Sequence, residues 1–146
     1  MAYSIYRAKV KNSLFSVSSI EDEQRIWDKV VTENIFVICK TPMAKSITKR
    51  TLIGFRKAKV NTRYFEDLIN QIKNNPEYFI KQVDKFITDK TGIKNMKINA
   101  IVGSPPYQIM DGGAGVSAKP VYNEFVNIAR TLSPGYMSMI MLSRWY

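Results

Sequence analysis

Apolar and polar positions alternate along this chain with two periods, one helical and one strand-like, and the switches between them outline the elements. Ser18 and Ser19 followed by Glu21 and Asp22 form a helix start of capping-box type. The helix it opens carries Ile20, Ile26, Trp27, Val30 and Val31 and stops near Glu33. Residues 35–39, Ile-Phe-Val-Ile-Cys, are a short apolar run rich in β-branched side chains and predict a buried strand, ended by Thr41-Pro42. Residues 43–61 are polar and basic, with a second strand expected near residues 51–55. Two helices follow. The first places Tyr64, Phe65, Leu68, Ile69 and Ile72 on one face, and Asn74-Asn75-Pro76 breaks it. Pro76 suits the first turn of the next helix, which buries Tyr78, Phe79, Val83, Phe86 and Ile87 and closes at Thr91-Gly92. These Tyr and Phe stripes read as core packing rather than as a surface for stacking bases.

From Met96 the texture changes. Residues 98–103 form an apolar strand that runs directly into Ser104-Pro105-Pro106-Tyr107. A glycine-rich loop, Asp111-Gly112-Gly113-Ala114-Gly115, leads through Lys119-Pro120 to a helix bearing Tyr122, Phe125, Val126, Ala129 and Leu132. Ser133-Pro134-Gly135 is a turn, and residues 136–142 predict another buried strand. Strand, loop, helix, strand is a βαβ unit, so its two strands should be parallel neighbours. In such sheets ligands bind at the carboxyl ends of the strands, where residues 104–107 would lie. The expected class is α/β, with a mixed, mainly helical and basic region over residues 1–94 and a second region over 95–146.

Composition narrows the chemistry. The 146 residues are 45% hydrophobic and 23% charged, as in ordinary globular chains. There is no histidine and one cysteine, Cys39, which excludes Ser-His and Cys-His catalysis, internal disulfides and the usual metal-ligand clusters. No apolar run approaches the length of a membrane span and no secretory signal is visible, so a soluble cytoplasmic protein is expected. The net charge of +10 favours a polyanionic partner. It is concentrated. Residues 34–65 contain no acid between Asn34 and Phe65, and Lys49, Arg50, Arg56, Lys57, Lys59 and Arg63 are candidate nucleic-acid contacts within that stretch. A merely solvated basic surface stands beside that reading.

Ser104-Pro105-Pro106-Tyr107 is the motif with a chemical meaning. Two prolines fix φ and lack N–H donors, so the loop is rigid and offers carbonyl acceptors. Ser104 adds a hydroxyl acceptor and Tyr107 a flat ring. Acceptors in the plane of an aromatic slot suit the exocyclic amine of an extruded nucleobase. Orienting that nitrogen for alkylation needs no prior strong base, so the lack of histidine is no obstacle.

Residues 98–107 resemble the catalytic motif of amino-methylating DNA methyltransferases, Asp/Asn/Ser-Pro-Pro-Tyr/Phe after a hydrophobic strand. The continuation resembles the Eco57I-like adenine-N6 methyltransferases of bacterial restriction–modification systems. It runs Val102-Gly103-Ser104-Pro105-Pro106-Tyr107-Gln108, Asp111-Gly112-Gly113, Pro120-Val121-Tyr122 and Ser143-Arg144-Trp145-Tyr146, over about residues 96–146. The resemblance implies a Rossmann-like catalytic region and S-adenosylmethionine as methyl donor. It also implies that Ser104 and the Pro105 carbonyl accept from the target amine, with Pro106 completing the rigid turn and Tyr107 stacking on the flipped base. Gln108, Asp111, Gly112 and Gly113 would line the substrate side of the pocket. Double-stranded DNA is the implied partner.

The chain departs from that pattern in three ways. Adenine enzymes mostly carry Asn or Asp where this chain has Ser104, and Ser is commoner in cytosine-N4 enzymes. No Phe/Pro-x-Gly-x-Gly loop for S-adenosylmethionine precedes residue 98. The chain stops at Tyr146, directly after a strand, as expected of a fragment that works with a missing remainder or a partner subunit. A non-catalytic basic DNA-binding remnant, a cytosine-N4 enzyme and an RNA amino-methyltransferase are the alternatives.

Overall fold

In the computed structural model, which describes residues 1–12, 19–106, 108–109 and 119–141, two compact units divide between Glu66 and Asp67. The expected boundary at 94/95 followed a change of composition. The packing groups residues 67–94 with the elements that follow them.

The first unit begins with helix α1 (Ala2–Asn12), which has no capping acid in its first turn and no buried residue. It exists by leaning on α2 (Ile20–Asn34): the Tyr6 ring meets Trp27 edge-on at 5.8 Å, and Lys9 Nζ lies 3.3 Å from Glu33. The sequence pattern did not disclose α1, because its support is tertiary. Helix α2 starts where the capping signal put it. Ser19 Oγ accepts from the Asp22 N–H at 3.1 Å and donates to Asp22 Oδ2 at 2.8 Å. Its buried residues are Val30 and Val31.

Strand β1 (Phe36–Cys39) follows at the expected place. Residues 51–55 are not a strand. They belong to the end of helix α3 (Pro42–Ile53) and the turn after it. The Thr-Pro pair that ends β1 also starts this helix: Thr41 Oγ1 accepts from the Ala44 N–H at 3.0 Å, and Pro42 occupies the first turn. Helix propensities differ by only about 0.7 kcal/mol per ordinary residue, so Thr51 and Ile53 are easily carried in a helix that packs on a sheet. The true partner of β1 is β2 (Asn61–Tyr64), parallel to it in the register Phe36↔Asn61 to Cys39↔Tyr64. Helix α3 packs against both strands as the crossover.

Asn61 explains how so polar a strand is held. It is 1% exposed, and its Nδ2 donates to the Thr32 carbonyl at 2.6 Å and the Ile35 carbonyl at 3.4 Å. These are carbonyls that the end of α2 leaves without helical partners. Asn61→Leu would strand them beside an apolar side chain. It is expected to destabilise the chain by about 1–3 kcal/mol, read as a lower denaturant midpoint with unchanged slope.

The second unit opens with α4 (Leu68–Asn74) and α5 (Pro76–Thr91). Tyr64 and Phe65 are not on the first of these helices: Tyr64 ends β2, and Asp67 in a left-handed conformation (φ 49°) delays the helix to Leu68. Asn75 caps α5, accepting from the Tyr78 N–H, and Gly92 at φ 73° ends it. Phe79, Val83, Phe86 and Ile87 are buried as expected. Tyr78 is 51% exposed, against expectation, because the helical period turns it about 100° or more away from Phe79 and Val83.

The remaining elements are β3 (Ala100–Gly103), β4 (Gln108–Ile109), β5 (Lys119–Pro120), α6 (Tyr122–Thr131) and β6 (Tyr136–Met139). Strands β3 and β6 are parallel neighbours joined through α6, in the register Ala100↔Tyr136 to Gly103↔Met139. Backbone bonds from Tyr136 N to Asn99 O and from Ile140 N to Gly103 O, both 3.0 Å, extend the ladder at each end. Gly135 permits this approach, since a Cβ there would stand 3.1 Å from the Asn99 carbonyl. Strands β4 and β5 form a small antiparallel pair that the sequence did not suggest.

One expectation fails here. Strand β6 is not buried: Tyr136 is 81% and Met137 41% exposed. Parallel strands are normally covered on both faces, and among the described residues this sheet is only two strands wide. The class is α/β, built of helices and short parallel strand pairs. No described helix is long and apolar enough to cross a membrane.

Candidate functional site

The carboxyl end of β3 delivers Ser104, Pro105 and Pro106. Ser104 is exposed, Pro105 is buried and Pro106 is half-buried. That division follows from the chemistry of the string. The prolines supply apolar rings and a fixed φ that anchor the turn, and the hydroxyl beside them faces solvent. Because β3 and β6 run in parallel, their carboxyl ends open on the same side, where βαβ units place ligands. Gln108 follows in β4, whose backbone pairs with Pro120 in β5. The expected contributions of Tyr107, Asp111, Gly112 and Gly113 lie outside the described residues.

The six basic candidates divide. Lys49, Arg50, Arg56 and Lys57 line one cavity of about 540 Å³, together with Gly54 and Phe55. The helical periodicity of α3 puts Lys49 and Arg50 at its C-terminal end, and the turn after Ile53 brings Arg56 and Lys57 back to face them. Lys59 is exposed but does not line the cavity, and Arg63 is in β2 with its guanidinium 4.6 Å from the Phe65 ring centre. Arg56 is further committed. Its Nη2 lies 2.7 Å from Asp28 Oδ1, and its Nε lies 3.3 Å and 3.2 Å from the two carboxylate oxygens. The hydrogen bond to Asp28 raises the Arg56 pKa above its ordinary value, so this cation is fixed and internally paired.

Sequence reasoning missed Phe55, having placed it in a strand. It is 89% exposed, and the Arg50 guanidinium sits over its ring at 4.3 Å. An aromatic residue inside an otherwise basic run was the signal available.

The described glycines do not fit a methyl-donor loop. Gly54 and Gly92 end helices with positive φ, Gly103 ends β3, and Gly135 lets β6 approach Asn99. None sits in a glycine-rich turn between a strand and a helix, the arrangement that lets backbone N–H groups approach an adenosyl or phosphate group.

Comparison with known proteins agrees with the motif and reaches further along the chain. The sequence model of the Eco57I restriction-modification methylase family matches residues 33–146, so it takes in β1, α3 and the basic cavity as well as the Ser104 loop. An uncharacterized adenine-specific methylase of Mycoplasma pneumoniae is 40% identical over 58 residues. That alignment covers 38% of this chain and 14% of the relative, so the chain spans a small part of that protein. No solved structure matches. With more than half of its residues matched, the chain belongs to the Eco57I restriction-modification methylase family.

Proposed function

We propose that this chain supplies the target-base pocket and a DNA-contacting surface of an adenine-N6 DNA methyltransferase in a restriction–modification system. The observation that carries the reading is Ser104-Pro105-Pro106 at the carboxyl end of a parallel β3–β6 pair, in a chain of this methylase family. An exposed hydroxyl beside a buried proline gives two acceptors on a stiff support. Ser104 Oγ and the Pro105 carbonyl would accept from the amine of a base swung out of the duplex. Holding both N–H bonds in the ring plane turns the nitrogen lone pair toward the methyl donor. Tyr107, and beyond it Gln108, Asp111, Gly112 and Gly113, would complete the pocket by stacking and by contacts to the base edge.

S-adenosylmethionine is the donor the family implies, and when bound it supplies an electrophilic methyl group. The described glycines do not fit its loop, so its site would draw on residues beyond those described. In this reading a partner subunit or a further part of the protein would complete the working enzyme. Lys49, Arg50 and Lys57 would meet the DNA phosphates, which accounts for three of the four basic side chains gathered around one cavity. A wider Rossmann-like sheet formed in the assembled enzyme would also cover the open face of β6.

The test is the fate of a labelled methyl group. The assembled enzyme is expected to label duplex DNA on adenine. Label confined to cytosine would replace the adenine assignment, as the Ser at position 104 would then indicate, and label only in RNA would remove DNA as the substrate.

A further inference from the structure

The cavity between the end of α3 and the following turn contains something that a surface for duplex phosphates does not require. Phe55 is 89% exposed at its edge. The backbone puts it there. Gly54 adopts φ 59° and ψ −126°, a combination that residues with a Cβ rarely adopt, while open space surrounds the missing side chain. Glycine is thus required here by the turn and not by crowding, and the turn stops α3 and projects the next residue outward. Scattered apolar side chains on a surface are ordinary. This one carries the Arg50 guanidinium on one face at 4.3 Å and has Lys49 and Lys57 beside it in the same cavity.

An aromatic ring backed by a guanidinium and flanked by ammonium groups has the chemistry of a stacking platform. The free face of the ring suits a nucleobase, and the cations suit the phosphates on either side. A paired base offers no face to it, because its neighbours in the duplex already cover both. An unpaired base does. The occupant that satisfies both ring and charges is therefore a single-stranded stretch of nucleic acid. A duplex backbone would use the cations alone, and an acidic peptide would leave the ring without a planar partner.

We propose that Phe55, backed by Arg50, stacks on an unpaired base of a nucleic-acid strand whose flanking phosphates are held by Lys49 and Lys57. The site rests on the DNA-facing reading of the basic stretch given above. It goes beyond that reading in assigning it an unpaired strand. It does not involve the Ser104 loop.

The experiment titrates the chain with a short single-stranded oligodeoxynucleotide carrying 2-aminopurine and with the matching duplex, at several salt concentrations. Stacking is expected to quench 2-aminopurine fluorescence in the single strand. Phe55→Ala, at an exposed position, is expected to weaken single-strand binding about tenfold and to abolish the quench, leaving duplex affinity and the salt slope unchanged. Phe55→Trp is expected to restore both binding and quench. Lys49→Gln with Lys57→Gln is expected to flatten the salt slope by about 1.4 for the single strand while keeping the quench at low salt. Single-strand binding that is indifferent to Phe55→Ala, with duplex binding intact, would overturn the stacking site and leave the DNA-facing surface standing. Absence of salt-dependent binding to either form would overturn both.

Discussion

Ser104→Ala is expected to reduce methyl transfer by the assembled enzyme about 10²-fold, with little change in DNA affinity. The hydroxyl is one of two acceptors proposed to fix the target nitrogen, and misplacing a reacting atom by about 1 Å costs on that order. Affinity should hold, because the phosphate contacts proposed above are made by other residues. Stability should hold as well, since Ser104 is exposed and the turn is anchored by buried Pro105. The change should stay within about 0.5 kcal/mol, as for other surface substitutions. Ser104→Asn is the informative companion. An amide oxygen accepts more strongly than a hydroxyl, and Asn is one of the two residues expected here in adenine enzymes, so this variant should keep or raise the rate. Single-turnover kinetics separates the two effects. A wild-type rate for Ser104→Ala would remove the hydroxyl from the pocket.

The second large effect is electrostatic. Lys49, Arg50 and Lys57, which have no ion pair among the described residues, would give a salt slope of about −2.7 for a duplex, at about −0.9 per phosphate contact. Raising salt from about 50 to about 200 mM should therefore weaken binding about 40-fold through this cavity alone. The triple substitution to glutamine should remove that part of the dependence. Arg56 is expected to contribute less than its neighbours, because Asp28 holds its guanidinium through three hydrogen bonds. A triple variant with the wild-type slope, measured by fluorescence anisotropy, would place the DNA contacts elsewhere.

Local signals in the sequence were reliable where the local chemistry was sufficient. Ser19 capping the start of α2, Pro76 in the first turn of α5 and Gly92 ending that helix each act without help from the rest of the fold. The parallel pairing of β3 and β6 followed from chain order, because a strand, helix, strand succession leaves little other choice. The signals failed where tertiary contacts decide. Helix α1 depends on Trp27 and Glu33 of its neighbour, and β2 depends on Asn61 reaching the end of α2. The same Thr41-Pro42 that reads as a strand terminator is also a helix start, and missing its second meaning displaced β2 and hid the role of Gly54. The position of residues 104–106 directly after β3 was legible, because an apolar strand runs into two prolines that constrain their own backbone. The gathering of Lys49, Arg50, Arg56 and Lys57 around one cavity was not, since it depends on where α3 ends and how the chain turns back.

The most direct measurement is the identity of the modified nucleoside. Duplex DNA incubated with the assembled enzyme and S-adenosylmethionine is digested to nucleosides, which are separated and weighed. Pocket acceptors aimed at an adenine amine predict N6-methyldeoxyadenosine as the product, lost in the Ser104→Ala enzyme. N4-methyldeoxycytidine in its place, or N6-methyldeoxyadenosine formed undiminished by Ser104→Ala, would contradict the pocket assigned to the carboxyl end of β3.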